Sequence, residues 1–174
     1  MDFIILAFMK ERILITGYSG SLAQITKKLL KDNYEIIGLT SNKEKVNNKD
    51  VYFWNTSTNE IDEKSLENCK HIIHLSGHPI LKRWTKKNKK LMHQSRVGAT
   101  NLLFNKCKDL NISIKTFISA SAIGIYGLNP SGIKSEDDEI GTDWIARMAS
   151  EWEESAQQFK QIGSRVIQMR ISLL

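Results

Sequence analysis

Apolar and polar positions along this chain fall into blocks that switch between two periods. A β-branched run at 13–15 is short enough for a buried strand, and Leu22, Ile25, Leu29 and Leu30 then recur at helical spacing. The runs 35–39 and 51–54 predict a second and a third strand. A short helix at 63–68 precedes a fourth strand at 71–75, and a long helix spans 85–108. Strands at 114–118 and 165–171 flank a helix at 143–161, on which Ile145, Met148, Ala149, Trp152, Ala156 and Phe159 form one apolar stripe. Strand, helix and strand repeated in this way predict a single α/β domain, a doubly wound parallel sheet covered on both faces by right-handed crossovers. The two prolines, Pro79 and Pro130, both fall in predicted loops, and no repeat or low-complexity tract interrupts the pattern.

The first strand meets its helix at Gly17, Gly20 and Ala23, a G-x-x-G-x-x-A spacing. A turn this tight needs a residue that tolerates unusual φ at Gly17, and the bare backbone at Gly20 lets a phosphate approach. The helix start at Ser21 then faces that anion with free N–H groups and the positive end of its dipole. The plainer alternative is a glycine turn between two core elements. In a doubly wound sheet the ligand lies beyond the carboxyl ends of the strands, which here are followed by segments 17–20, 40–45, 76–80 and 119–127. After the second strand stand Thr40, Ser41, Asn42 and Lys43, where a carboxylate would read a ribose 2′-hydroxyl. Hydroxyls with Lys43 and Lys45 suit a 2′-phosphate instead, so NADP is expected over NAD; a solvated polar turn is the alternative.

A length of 174 residues and 41% hydrophobic content fit one globular domain with a sizeable core. The net charge of +6 is unevenly placed. Residues 68–108 hold no acid, and Lys82, Arg83, Lys86, Lys87, Lys89 and Lys90 crowd together, which opens a nucleic-acid or partner-binding reading. Against it, eight acids lie between Glu136 and Glu154, no nucleic-acid motif is present, and few aromatics interleave. Cys69 and Cys107 share no metal-ligand spacing and suit reduced thiols of a cytosolic protein, while His71 and His74 point to opposite faces of their strand and cannot share a metal. Residues 1–8 are apolar but too short to span a bilayer, and Asp2 stands where an export signal would be positive, so they read as an upstream-start extension to a domain at 9–174.

The stretches ILITGYSG (13–20), HLSGHPI (74–80) followed by RWT (83–85), SRV (95–97), ISASAIGIYG (118–127) and WEE (152–154) stand in this order. Together they resemble the successive motifs of the NAD(P)-dependent epimerase/dehydratase family. This is the extended group of short-chain dehydrogenases; the chain resembles its sugar-nucleotide-epimerase-like branch, often labelled cell division inhibitor. The resemblance covers about residues 9–174. It implies a Rossmann-type three-layer α/β/α fold with Gly17, Ser19, Gly20, Ser21 and Leu22 at the cofactor pyrophosphate. Ala23 replaces the family's third glycine. Leu75, Ser76 and Gly77 match the turn that runs along the adenosine and ribose, and Arg96 falls in the branch's Ser-Arg-Val. Ser119 and Ser121 match the loop beside the nicotinamide, with Ser121 the better catalytic candidate; a buried strand end of small residues is the alternative.

Two departures bear on chemistry. The family's Tyr-x-x-x-Lys pair should stand on the helix at 143–161, but Trp144 and Met148 occupy those positions and neither exchanges a proton. Tyr126 could supply a phenol from another element. Family members also continue past the strand at 165–171 into a smaller domain that closes over substrate, so the chain is expected to lack most of a substrate domain. The resulting expectation is an NAD(P)-binding protein related to nucleotide-sugar epimerases and reductases, with weak or no activity alone and a tendency to form homo-oligomers. A non-catalytic cofactor module or gene fragment is the first alternative, and a basic interaction protein the second.

Overall fold

A computed structural model describes residues 10–172; the expected extension at 1–8 lies outside them. Seven strands form one sheet in the order β4-β3-β2-β1-β5-β6-β7: β1 Arg12–Thr16, β2 Glu35–Thr40, β3 Val51–Asn55, β4 Glu60–Ile61, β5 Cys69–His74, β6 Thr116–Ala122 and β7 Arg165–Ile171. All pairings are parallel except β3 with β4. Among the described residues four α-helices accompany them: α1 Ser21–Leu30, α2 Lys86–His93, α3 Ala99–Asp109 and α4 Trp144–Gln157.

The apolar run of β1 is continuous because both of its faces are buried. Leu14 packs with Ile37, Ile72, Leu103, Phe117 and Phe159 on the α3/α4 side. Ile13 and Ile15 pack with Ala23 and Ile73 on the α1 side. Phe117 and Phe159 stack with centroids 3.7 Å apart, which locks α4's continuation onto the sheet. The expected stripe on α4 is buried throughout, and Met148 and Ile145 join Met92, Trp84 and Trp144 in a satellite cluster. No helix among the described residues is long and apolar enough to cross a membrane.

Four local features differ from the sequence reading. The expected helix at 63–68 is a single 3₁₀ turn, Glu63–Ser65, and the two-residue antiparallel β4 was not anticipated. Ser119 and Ser121 lie on β6 rather than in a loop after it, since pairing with β7 continues through Ala122↔Ile171. The long helix at 85–108 is interrupted by a π turn at Gln94–Gly98. Its polar side chains explain that turn: Thr100 Oγ1 donates to the Arg96 carbonyl at 2.9 Å, Ser95 Oγ to that of Met92 at 3.0 Å, and Gln94 Nε2 to Thr56 at 2.5 Å. Gly98 leaves the room, because a Cβ there would lie 2.4 Å from the Gln94 amide.

Candidate nucleotide-binding cleft

β1 is the point where the sheet reverses its direction of growth, with β2 on one side and β5 on the other. The chain leaves β1 through Gly17 at φ +66, and a Cβ at this position would lie 2.8 Å from the Leu75 carbonyl oxygen. Glycine is therefore needed both for the conformation and for the close approach of the β5 end. The Gly20 N–H bonds to the Gly17 carbonyl at 2.8 Å, which closes the turn, and Gly20 is the N-cap of α1. No side chain caps α1 and no acid stands in its first turn, so its N-terminus opens toward the crevice.

A cleft of about 610 Å³ lies there. Of the residues expected from sequence, Gly17, Ser19, Gly20, Thr40, Ser41, Leu75, Ser76 and Gly77 line it. Ser21 and Leu22 form the first turn of α1 behind Gly20. Lys43 lies outside the lining, its ammonium 5.3 Å from the centre of the Phe53 ring, and Ser119 is buried with its hydroxyl donated to the Ala120 carbonyl at 2.8 Å. Tyr18, His78 and Pro79, from the expected segments 17–20 and 76–80, line it as well, and the structure adds Leu39, Trp54, Asn55, Thr56, Ser57 and Ser95. The group at 54–57 follows β3, so the rule that ligands sit beyond strand ends, applied to the third strand as to the others, would have found it. Among the described residues no carboxylate lines the cleft.

Thr16 ties the two halves of the crevice together. Its hydroxyl accepts the Leu75 and Ser76 N–H groups at 3.1 and 3.2 Å. The hydroxyl proton is then left for His74 Nδ1 at 2.8 Å, so the ring carries its own proton on Nε2 and is neutral. His74 Nε2 has no hydrogen-bond partner among the described residues. His74 is fully buried beside Trp54, Phe117 and Trp152. Burial first, and then the charge of Arg96, push its pKa down to about 3.

That depression has a consequence for acid stability. The unfolded ring protonates near pH ~6.5 while the folded one does not, so stability is complete above that pH and is lost as pH falls toward the folded value. The expected loss is roughly 1.4 kcal/mol per pH unit inside this window, or about 2 kcal/mol on going from pH ~6.5 to pH ~5. Urea unfolding of wild type and His74→Asn across this range measures it. Equal acid sensitivity in the two proteins would exclude His74 as the cause.

Ser121 and Tyr126 lie off the cleft, in a second polar cluster at the ends of β6 and β7. Ser121 Oγ donates to Glu153 Oε1 at 2.5 Å. Arg170 Nε and Nη2 each reach a different Glu153 oxygen at 2.9 Å, and its Nη1 donates to the Tyr126 hydroxyl at 2.7 Å. Tyr126 passes its own proton to the Ser135 carbonyl at 2.7 Å. Burial alone would raise the Glu153 pKa, but the bonds from Arg170 and Ser121 outweigh it and hold the carboxylate ionised. The cluster clamps the segment after β6 to β7, with Gly141 N–H bonded to the Ile125 carbonyl at 2.8 Å as a further tie.

An open, mostly parallel sheet with a glycine turn and a bare helix start at its switch point defines a Rossmann-type fold. A sequence model of the NAD dependent epimerase/dehydratase family matches residues 13–170, and the chain belongs to that family. It is 30% identical over 168 residues to an epimerase family protein of Staphylococcus aureus, covering 94% of this chain and 55% of that protein. An epimerase family protein of Mycobacterium leprae is 26% identical over 169 residues, covering 97% of this chain and 54% of its own length. The chain thus spans about half the length of the curated relatives it matches.

Among solved structures, the nucleoside-diphosphate sugar epimerase from Corynebacterium glutamicum superposes with TM-score 0.75 at 26% identity, covering 92% of this chain and 33% of that one. UDP-glucuronic acid 4-epimerase from Bacillus cereus, solved with UDP-glucuronic acid and NAD, shares the fold at TM-score 0.73 and 20% identity, covering 91% of this chain and 55% of that one. The human epimerase family protein SDR39U1, solved with NADPH, does so at 0.72 and 18%, covering 91% and 52%.

Proposed function

We propose that this chain is the dinucleotide-binding part of a nucleotide-sugar epimerase or reductase and that it prefers NADP to NAD. The observation that carries the reading is the meeting of Gly17, Gly20 and the uncapped α1 with the Leu75–Gly77 turn around one cleft. Gly17, Ser19 and Gly20, with Ser21 and Leu22 behind them, would hold the pyrophosphate by backbone N–H groups and the α1 dipole. Leu75, Ser76 and Gly77 would run along the ribose. A bound nicotinamide dinucleotide supplies a hydride acceptor or donor; the protein's share is to bind it, orient it and exclude water. Ser121 and Tyr126 serve as braces in this reading, since both hydroxyl protons are donated within their own cluster. Buried free thiols at Cys69 and Cys107 fit a cytosolic setting.

NADP preference rests on the hydroxyls of Thr40 and Ser41 in a cleft that no carboxylate of the described residues lines; Lys43, two residues beyond Ser41, lies outside that lining and would have to swing from the Phe53 ring to reach a 2′-phosphate. Calorimetric titration should find NADP bound about tenfold more tightly than NAD. Ser41→Asp should invert the order, because a carboxylate there accepts from a 2′-hydroxyl and repels a 2′-phosphate. Tighter NAD binding by wild type would overturn the preference.

A further inference from the structure

Proton exchange in the cleft is so far unassigned. Trp144 and Met148 stand where the family pattern has tyrosine and lysine, packed in the satellite cluster with Met92. Ser121 and Tyr126 have committed their protons elsewhere. We propose that His78, with the Ser76 hydroxyl of the same loop, is the residue that takes up the proton of a ligand hydroxyl in this cleft and returns it. The proposal rests on the reading of the cleft as a dinucleotide site.

The backbone of His78 is fixed at both of its polar groups by the π turn. Its N–H donates to Ser95 Oγ at 2.8 Å, and its carbonyl accepts from Arg96 Nη1 at 3.1 Å. Pro79 restricts the next φ. Gly77 has no side chain and lets the loop lie on the Arg96 guanidinium, where a Cβ would stand 3.1 Å from Cζ. Two sequence motifs with no shared role, the Ser-Gly-His-Pro loop and the Ser95-Arg96 pair, are thus one device that holds a histidine at the cleft wall.

The ring itself is left unsatisfied. His78 Nε2 and Ser76 Oγ are both shielded from solvent and without a hydrogen-bond partner among the described residues, and both residues line the cleft. Shielded polar atoms without partners carry a cost that a ligand able to pair with them removes. The charged groups acting on the ring are Lys82, from its own loop, and Arg96, from the π turn. Burial and then these two charges lower the pKa of His78, so the imidazole is neutral at neutral pH and can accept a proton.

With its own proton on Nδ1, the ring offers a lone pair at Nε2. That lone pair would take up the proton of a ligand carbinol and become an imidazolium, while a bound oxidised nicotinamide would supply the hydride acceptor that turns the carbinol into a carbonyl. Reduction of the carbonyl returns the same proton to oxygen. Ser76 Oγ donates to the reacting oxygen and holds it beside Nε2.

The test uses the full chain with NADP and UDP-glucose as probes, and long-range proton–nitrogen NMR of the histidine rings, with His78 assigned by its loss in His78→Gln. With NADP saturating, UDP-glucose should shift the His78 ring nitrogens and leave those of His93 in place. His78→Gln should weaken UDP-glucose about tenfold, as expected for one lost hydrogen bond, with a clearly smaller effect on NADP. His78 signals that ignore UDP-glucose while wild type still binds NADP overturn the proposal alone. An equal loss of both ligands in His78→Gln overturns it too and makes His78 a cofactor contact. A wild type that binds no dinucleotide overturns the underlying reading, and this inference with it.

Discussion

Gly17→Ala is expected to lower the melting temperature by roughly 10 °C, corresponding to about 3 kcal/mol. Two costs add at this position. At φ +66 a Cβ is strained in any surroundings, by about 1–2 kcal/mol. The Cβ would also lie 2.8 Å from the Leu75 carbonyl oxygen and 3.0 Å from the Ser76 nitrogen, so the end of β5 has to move. Moving it pulls the Leu75 and Ser76 N–H groups off the Thr16 hydroxyl, and the bond to buried His74 is disturbed in turn. Gly163 separates the two costs. Its φ is +83, yet a Cβ there meets nothing within 4 Å. Gly163→Ala should therefore show only the conformational cost of about 1–2 kcal/mol. Calorimetric melting of both variants checks the difference, and equal shifts would mean that the contact between the β1 turn and β5 is not tight.

Much of the fold was legible because strands buried on both faces read as unbroken apolar runs, as the centres of β1 and β2 do. What the sequence concealed was tertiary in origin. The π turn exists because Gln94, Ser95 and Thr100 find partners at Thr56, Met92 and Arg96, and the spacing of apolar residues carries no trace of that. Ser119, Ala120 and Ser121 are small residues with weak strand preference, and the ladder to β7, with Ser119 also paired to His74 of β5, holds them extended. At two residues, β4 is too short for any periodicity.

The candidate site was legible in the same uneven way. Gly17, Gly20 and Gly77 announce themselves because a missing side chain is visible in sequence. Thr56 and Ser57 carry no such mark, since ordinary polar residues after a strand look like any solvated turn. Trp144 and Met148 stand out as departures only against the resemblance to the family, since helical spacing by itself marks this helix as a core-facing stripe. The unpartnered His78 ring could not, because it depends on the two bonds that pin its backbone.

Gly20→Asp should abolish dinucleotide binding without weakening the fold. Gly20 is the N-cap of α1 at φ −71 and ψ 158, an extended conformation open to any residue, and aspartate is a favoured N-cap. A Cβ there would stand 3.1 Å from the Gly17 carbonyl oxygen, a contact that a shift of a few tenths of an ångström relieves. The new carboxylate would take the N–H groups at the start of α1 and set a negative charge against the phosphate. Two like charges about 4 Å apart near a protein surface repel by about 4 kcal/mol, which predicts a loss of about three orders of magnitude in affinity.

The most direct measurement is calorimetric titration of NADP into wild type and Gly20→Asp, with the melting temperature of each recorded alongside. Saturable binding by wild type, its loss in Gly20→Asp and an unchanged melting temperature are the expected result. Equal binding by the two proteins, or none by wild type, would contradict a phosphate site at the start of α1.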